Sequence, residues 1–259
     1  MLELKGLYKT FNPGTVNEKR AIDGLDLTLD NGDFVTIIGG NGAGKSTTLN
    51  LIAGVYPPDA GLIRLNGFNL TNLPEHKRAR FLGRVFQDPM MGTAATMGIE
   101  ENLALAYRRG KSRGLGHGIT NEERKLYREK LATLGLGLED RMTSKVGLLS
   151  GGQRQALTLL MATLQKPDLL LLDEHTAALD PKTADKVLQL TEEIVARDNL
   201  TTLMVTHNMK NAIQYGNRLI MMDAGKVIVD IRGEEKKSLT VRDLLEKFNI
   251  ENDRMLLSE

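Results

Sequence analysis

GGNGAGKST, residues Gly39 to Thr47, fits the phosphate-binding pattern G-x-x-x-x-G-K-[ST], with Gly39, Gly44, Lys45 and Ser46 at the fixed positions. Phe34-Val35-Thr36-Ile37-Ile38 precedes it, a short apolar, β-branched run that reads as a buried strand. Thr48 to Ala53 follows and reads as the first turns of a helix. Strand, loop and helix in that order give the pattern its mechanism. Glycines let the backbone turn its N–H groups toward one point with no Cβ in the way. The helix N-terminus adds partial positive charge there. Lys45 is then expected to reach the β- and γ-phosphates of a nucleotide, and Ser46 to ligate Mg²⁺.

The 259 residues suit one large domain, or a domain with a subdomain. A hydrophobic content of 41% and a charged content of 26% are ordinary for a globular chain. The net charge of +1 gives no general attraction to nucleic acid or anionic membrane, and no nucleic-acid partner is expected. Cysteine is absent, which excludes disulfides and thiolate metal sites. No apolar run approaches the ~20 residues of a membrane span. Leu169 to Leu172, for example, is bounded at once by Asp168 and Asp173. Met1 to Lys5 alternates like a strand and lacks the apolar core of a signal peptide. Any membrane role is therefore expected to come through a partner chain.

Outward from the loop, residues 1–36 show period-two stretches: Leu2 and Leu4, then Leu25, Leu27 and Leu29. Asn31-Gly32-Asp33 is a turn. The expectation is an antiparallel β layer leading into the central strand. Glu75, His76, Lys77, Arg78 and Arg80 read as a solvated basic helix face. Arg84 to Pro89 reads as a strand stopped by proline, with Gln87 near its end. Glu100–Tyr107 and Asn121–Leu134 carry helical spacing, and Arg108 to Gly118 reads as a flexible, exposed basic loop. Residues 89–149 thus look like a helical insertion.

Leu149-Ser150-Gly151-Gly152-Gln153 opens a helical pattern running to Leu164. Ser150 and Gln153 match a capping box. That leaves Gly151 and Gly152, each costing ~1 kcal/mol in a helix, to be explained. Bare N–H groups open to a phosphate would explain them. Leu169-Leu170-Leu171-Leu172-Asp173-Glu174 is a strand apolar on both faces, ending in two carboxylates. Ligands of such sheets lie at the carboxyl ends of the strands. Asp173 can hold Mg²⁺ through water, and Glu174 can take the proton of an attacking water. Thr201 to Val205 is a further strand, with Thr206 and His207 at its end. Arg218–Asp223 and Lys226–Val229 form a hairpin, and Val241, Leu244, Leu245 and Phe248 space out an amphipathic C-terminal helix.

GGNGAGKST, Gln87, LSGGQ at 149–153, LLLLDE at 169–174 and His207, in this order, resemble the ATP-binding subunits of ABC transporters over nearly the whole chain. The resemblance implies an α/β, P-loop NTPase core with a mostly parallel central sheet. It adds an N-terminal antiparallel β subdomain and a helical insertion subdomain. Residues 1–88 and 150–230 would form the core, 89–149 the helical part and 231–259 a helical tail of one ATPase domain. It implies ATP and Mg²⁺ as ligands. Gly39, Gly40, Asn41, Gly42, Ala43, Gly44, Lys45, Ser46 and Thr47 would cradle the phosphates. Phe11, with Tyr8 as a substitute, falls where the family stacks an aromatic on adenine. Ser46, Gln87 and Asp173 would serve the metal. Glu174 matches the catalytic glutamate and His207 the residue that reads the γ-phosphate, with Gln87 and Lys45 assisting. Ser150, Gly151, Gly152 and Gln153 match the signature that meets the nucleotide of the other subunit, and Asp180 lies in a segment similar to the D-loop. His175 stands where the family usually has proline, and Gly40 stands where proline is common.

The implied partners are transmembrane permease subunits, a second ATPase subunit forming a head-to-tail homodimer, and an extracytoplasmic solute-binding protein. The implied place is the cytoplasmic face of the plasma membrane. Val85 to Leu103, with Asp88-Pro89-Met90-Met91, looks like subunits that serve uptake of amino acids or related solutes. Two alternatives belong to other classes: a soluble ABC ATPase acting on ribosomes or DNA, and a nucleotide-binding regulator without turnover.

Overall fold

The computed structural model describes residues 1–111 and 118–247. Two compact units emerge, Met1–Glu75 with Thr201–Glu259, and His76–Leu200.

The first unit opens with β1 (Leu2–Phe11) and β2 (Lys19–Leu29), then β3 (Phe34–Ile38), α1 (Lys45–Ala53), β4 (Ala60–Leu65) and β5 (Phe68–Asn69). β2-β1-β4-β5 form an antiparallel sheet, the expected β layer. Leu4 pairs with Leu27 on one side and Ile63 on the other, and all three are buried. The register shifts between Leu4 and Leu7, which returns Leu7 to the buried face despite its odd spacing.

The second unit holds the single turn α2 (Glu75–Arg78), then β6 (Leu82–Val85), α3 (Ile99–Tyr107), α4 (Asn121–Ala132), α5 (Gly151–Thr163), β7 (Leu169–Asp173) and α6 (Pro181–Asp198). β6 and β7 run parallel, and all four leucines of β7 are buried. Ile99, Leu103, Tyr127, Leu131, Leu157 and Leu160 share one core, so the helical segment packs on α5. Three expectations need correcting. The β6 strand stops at Val85, because the Phe86 carbonyl accepts from Gln155 Nε2 (3.3 Å) instead of a strand neighbour. α4 stops at Ala132, where the chain tightens toward Gly135 in the left-handed region. The basic face around α2 is not wholly solvated, since Arg78 is 1% exposed.

Returning to the first unit, the chain forms β8 (Thr202–Val205), α7 (Met209–Gln214), β9 (Arg218–Asp223), β10 (Lys226–Arg232) and α8 (Gly233–Lys237). β9, β3 and β8 are parallel, with β10 antiparallel on β9 as the expected hairpin. Every residue of β3 and β8 is buried, as two covered faces require. Residues 241–247 are helical, with Leu244 packed in the core of Ile38, Leu219 and Met221, while Phe248 lies outside the described residues. The basic loop is partly committed to structure. Arg108 makes two hydrogen bonds to the Glu123 carboxylate (2.9 and 3.0 Å), and Arg109 donates to the Ala162 and Gln165 carbonyls (2.9 and 2.6 Å). Arg113 lies outside the described residues.

Candidate functional site

In the first unit, Gly39–Gly44 links the carboxyl end of β3 to the start of α1. A Cβ on Gly39 would lie 2.1 Å from the Met222 carbonyl oxygen, and one on Gly44 2.6 Å from that of Ala21. Both glycines also hold positive φ, so the two glycine positions of the pattern are fixed by space and by backbone. Gly44 caps α1 without a side-chain hydrogen bond. A glycine cap puts no side chain of its own over the helix N-terminus, as an anion site requires. Gly40, Asn41, Gly42 and Ser46 are exposed, Gly39 and Thr47 are half-buried, and Ala43 is buried. Lys45 is buried, and its ammonium donates to the Gly39 and Gly40 carbonyls (2.8 and 2.9 Å). The lysine thus folds back across its own loop.

His207 belongs to the same edge. Ile37 pairs with Val205 in parallel register, and Thr206 N–H donates to the Ile37 carbonyl (3.1 Å). His207 therefore leaves β8 beside the point where the glycine loop leaves β3. Its ring is exposed, and Asn208 beyond it caps α7 by accepting from the Lys210 and Asn211 N–H groups. Phe11 is half-buried at the end of β1 and meets Tyr56 edge-on, with ring centroids 5.1 Å apart. It is an anchored ring outside the buried core. Tyr8 is 40% exposed.

The second unit repeats the arrangement. Val85 pairs with Leu172 in parallel register, so Gln87 and Glu174 leave adjacent strands at the same end. Gln87 is exposed. Asp173 is half-buried and lies 3.9 Å from the guanidinium of Arg84, which stacks on Phe86 at 4.5 Å. That ion pair was not legible from spacing, because it depends on the β6–β7 pairing. Glu174 takes a left-handed backbone, φ 45°. His175 turns into the interior, 2% exposed, with Nε2 3.1 Å from Thr191 Oγ1. Burial pushes its pKa down to about 4, so the imidazole is neutral at pH 7.

The LSGGQ stretch opens α5 as the expected capping box. Ser150 Oγ accepts from Gln153 N–H (3.3 Å), and Gln153 Oε1 accepts from Ser150 N–H (3.2 Å). Its two glycines differ. Gly151 is exposed, whereas a Cβ on Gly152 would lie 2.2 Å from Thr183 Cγ2 of α6. Close packing of α5 on α6 therefore accounts for Gly152 without any ligand. Asp180 caps α6 by accepting from Thr183 N–H (3.1 Å), and those hydrogen bonds from Thr183 hold its carboxyl below the usual range.

Among the described residues, no group of three or more His, Asp or Glu side chains could hold a metal ion. Mg²⁺ takes one or two protein oxygens and completes its shell with phosphate and water.

A sequence profile of the family described as ABC transporter matches residues 22–177. The chain is 48% identical over 249 residues to a tyrosine transport ATP-binding protein of Clostridioides difficile, covering 96% of this chain and 98% of that one. It is 32% identical over 269 residues to a methionine import ATP-binding protein of Enterococcus faecalis, covering 100% of this chain and 75% of the relative. Among solved structures it is similar to a dimeric ATP-binding cassette in a post-hydrolysis state with ADP and Pi. That likeness has a TM-score of 0.77 and 32% identity, over 90% of this chain and 98% of that one.

Proposed function

This chain belongs to the ABC transporter family, and we propose that it is the ATP-hydrolysing subunit driving uptake of an amino acid or similar small solute through separate permease subunits. The observation that carries the reading is the 48% identity, end to end, with a tyrosine transport ATP-binding protein. A permease partner and a dimer follow from the family. An extracytoplasmic solute-binding protein and a place on the cytoplasmic membrane face extend the import reading. Among the described residues, no helix is long and apolar enough to cross a membrane.

The roles rest on the family pattern and on local geometry. Lys45 and the N–H groups at the N-terminus of α1 bind the β- and γ-phosphates. Ser46, Asp173 and Gln87 serve Mg²⁺, which neutralises phosphate charge when bound. Phe11 supports the adenine. Glu174 takes a proton as water oxygen attacks the γ-phosphorus and the bond to the bridging oxygen breaks. His207 reads the γ-phosphate. Ser150, Gly151 and Gly152 of a second copy complete the donors, and Asp180 lies at that contact. Hydrolysis therefore needs the closed dimer.

Glu174→Gln keeps the shape and removes the base. Its purified dimer, followed by light scattering, is expected to persist with ATP while phosphate release falls to background. Phosphate release at the wild-type rate overturns the role of Glu174.

A further inference from the structure

We infer that His175 and Thr191 form a positioning pair that fixes the backbone turn carrying Glu174, an inference resting on the reading of Glu174 as catalytic base. Glu174 holds φ 45°, a region a non-glycine residue keeps only when its surroundings impose it. One restraint is local, since Ala177 N–H donates to the Glu174 carbonyl (2.9 Å). The next residue supplies the other. The His175 ring is buried, and its Nε2 meets Thr191 Oγ1 at 3.1 Å.

The proton inventory orients that bond. Thr191 has one hydroxyl proton and donates it to the Val187 carbonyl one turn earlier (2.7 Å). Its oxygen is then an acceptor, so His175 Nε2 carries the hydrogen. The chain from the turn to the helix backbone is His175, Thr191, Val187, with each donor satisfied. α6 thus grips residues 174–180 at both ends, through His175 at one and the Asp180 cap at the other. A carboxylate carried between two fixed points keeps its direction when the segment is loaded by a partner. Proline, usual here by resemblance, would stiffen the chain through its ring; here a hydrogen bond into α6 restrains it.

The test compares Thr191→Val, Thr191→Ser and Glu174→Gln in the full chain, assayed as the nucleotide-bound dimer below each melting midpoint. Thr191→Val removes the acceptor and is expected to lower kcat about tenfold while KM for ATP stays within about twofold. Thr191→Ser keeps the hydroxyl and is expected to turn over like wild type. A purely structural bond would lower the melting midpoint and leave kcat of folded protein unchanged, which overturns the inference. So does an equal kcat loss in Thr191→Ser. Should Thr191→Val not fold, His175→Asn, too short to reach Thr191, is expected to show the same kcat loss; wild-type kcat overturns the pair. If Glu174→Gln itself retains turnover, the underlying reading fails; if only the Thr191 and His175 variants stay active, this inference alone fails.

Discussion

Lys45 is a charged side chain kept under cover because two carbonyls of its own loop accept from its ammonium. Lys45→Ala removes a charged donor, so nucleotide affinity should fall by about 2–3 kcal/mol, roughly a hundredfold in Kd. A fluorescent-nucleotide titration checks this, and unchanged affinity would argue against the loop as the phosphate site. His175 gives a pH dependence. Its folded pKa is about 4 against an ordinary 6.5, so the unfolded chain binds more protons between those values. Stability from this group is whole above pH 6.5 and declines as pH falls, by about 3 kcal/mol at pH 4. Melting curves of wild type and His175→Asn should therefore diverge less at pH 4 than at pH 7. At this scale the fixed residues of each motif were legible, because their chemistry depends on spacing. The burial of His175 and the Arg84–Asp173 pair were not, because both depend on which segments pack together.

At the level of elements, the start of α5 carries both a legible and a hidden constraint. The Ser150–Gln153 capping box follows from residue types three apart. The need for Gly152 follows from Thr183, thirty-one positions away, and spacing gave no sign of it. Gly152→Ala should destabilise the fold by about 1–3 kcal/mol through overpacking. Thr183→Ser deletes the opposing Cγ2 and should restore most of that loss in a denaturant titration. No loss, or no recovery in the double variant, contradicts the packing explanation. The helices around 99–160 were found by periodicity, yet Tyr127 faces their core beside Leu131 and Leu134, with Leu126 only partly buried against it. An amphipathic stripe wide enough to hold an aromatic is easily drawn one residue too narrow. The early end of β6 was hidden for a related reason: the Phe86 carbonyl is taken by Gln155, a partner sixty-nine residues on.

For the whole molecule, the order of motifs revealed the family, since strand ends and helix starts recur at fixed places along the chain. The parallel registers Ile37–Val205 and Val85–Leu172 explain why: each sends two motif residues out at one strand edge. The solute was not legible, because the motifs that could be read concern the nucleotide. Isolation of the tagged protein from native membranes in mild detergent tests the transport reading most directly. The expected result is a polytopic membrane protein in equimolar amount, lost when the permease gene is deleted. A chain that stays free of membrane protein and instead brings down ribosomes or DNA-bound material contradicts it.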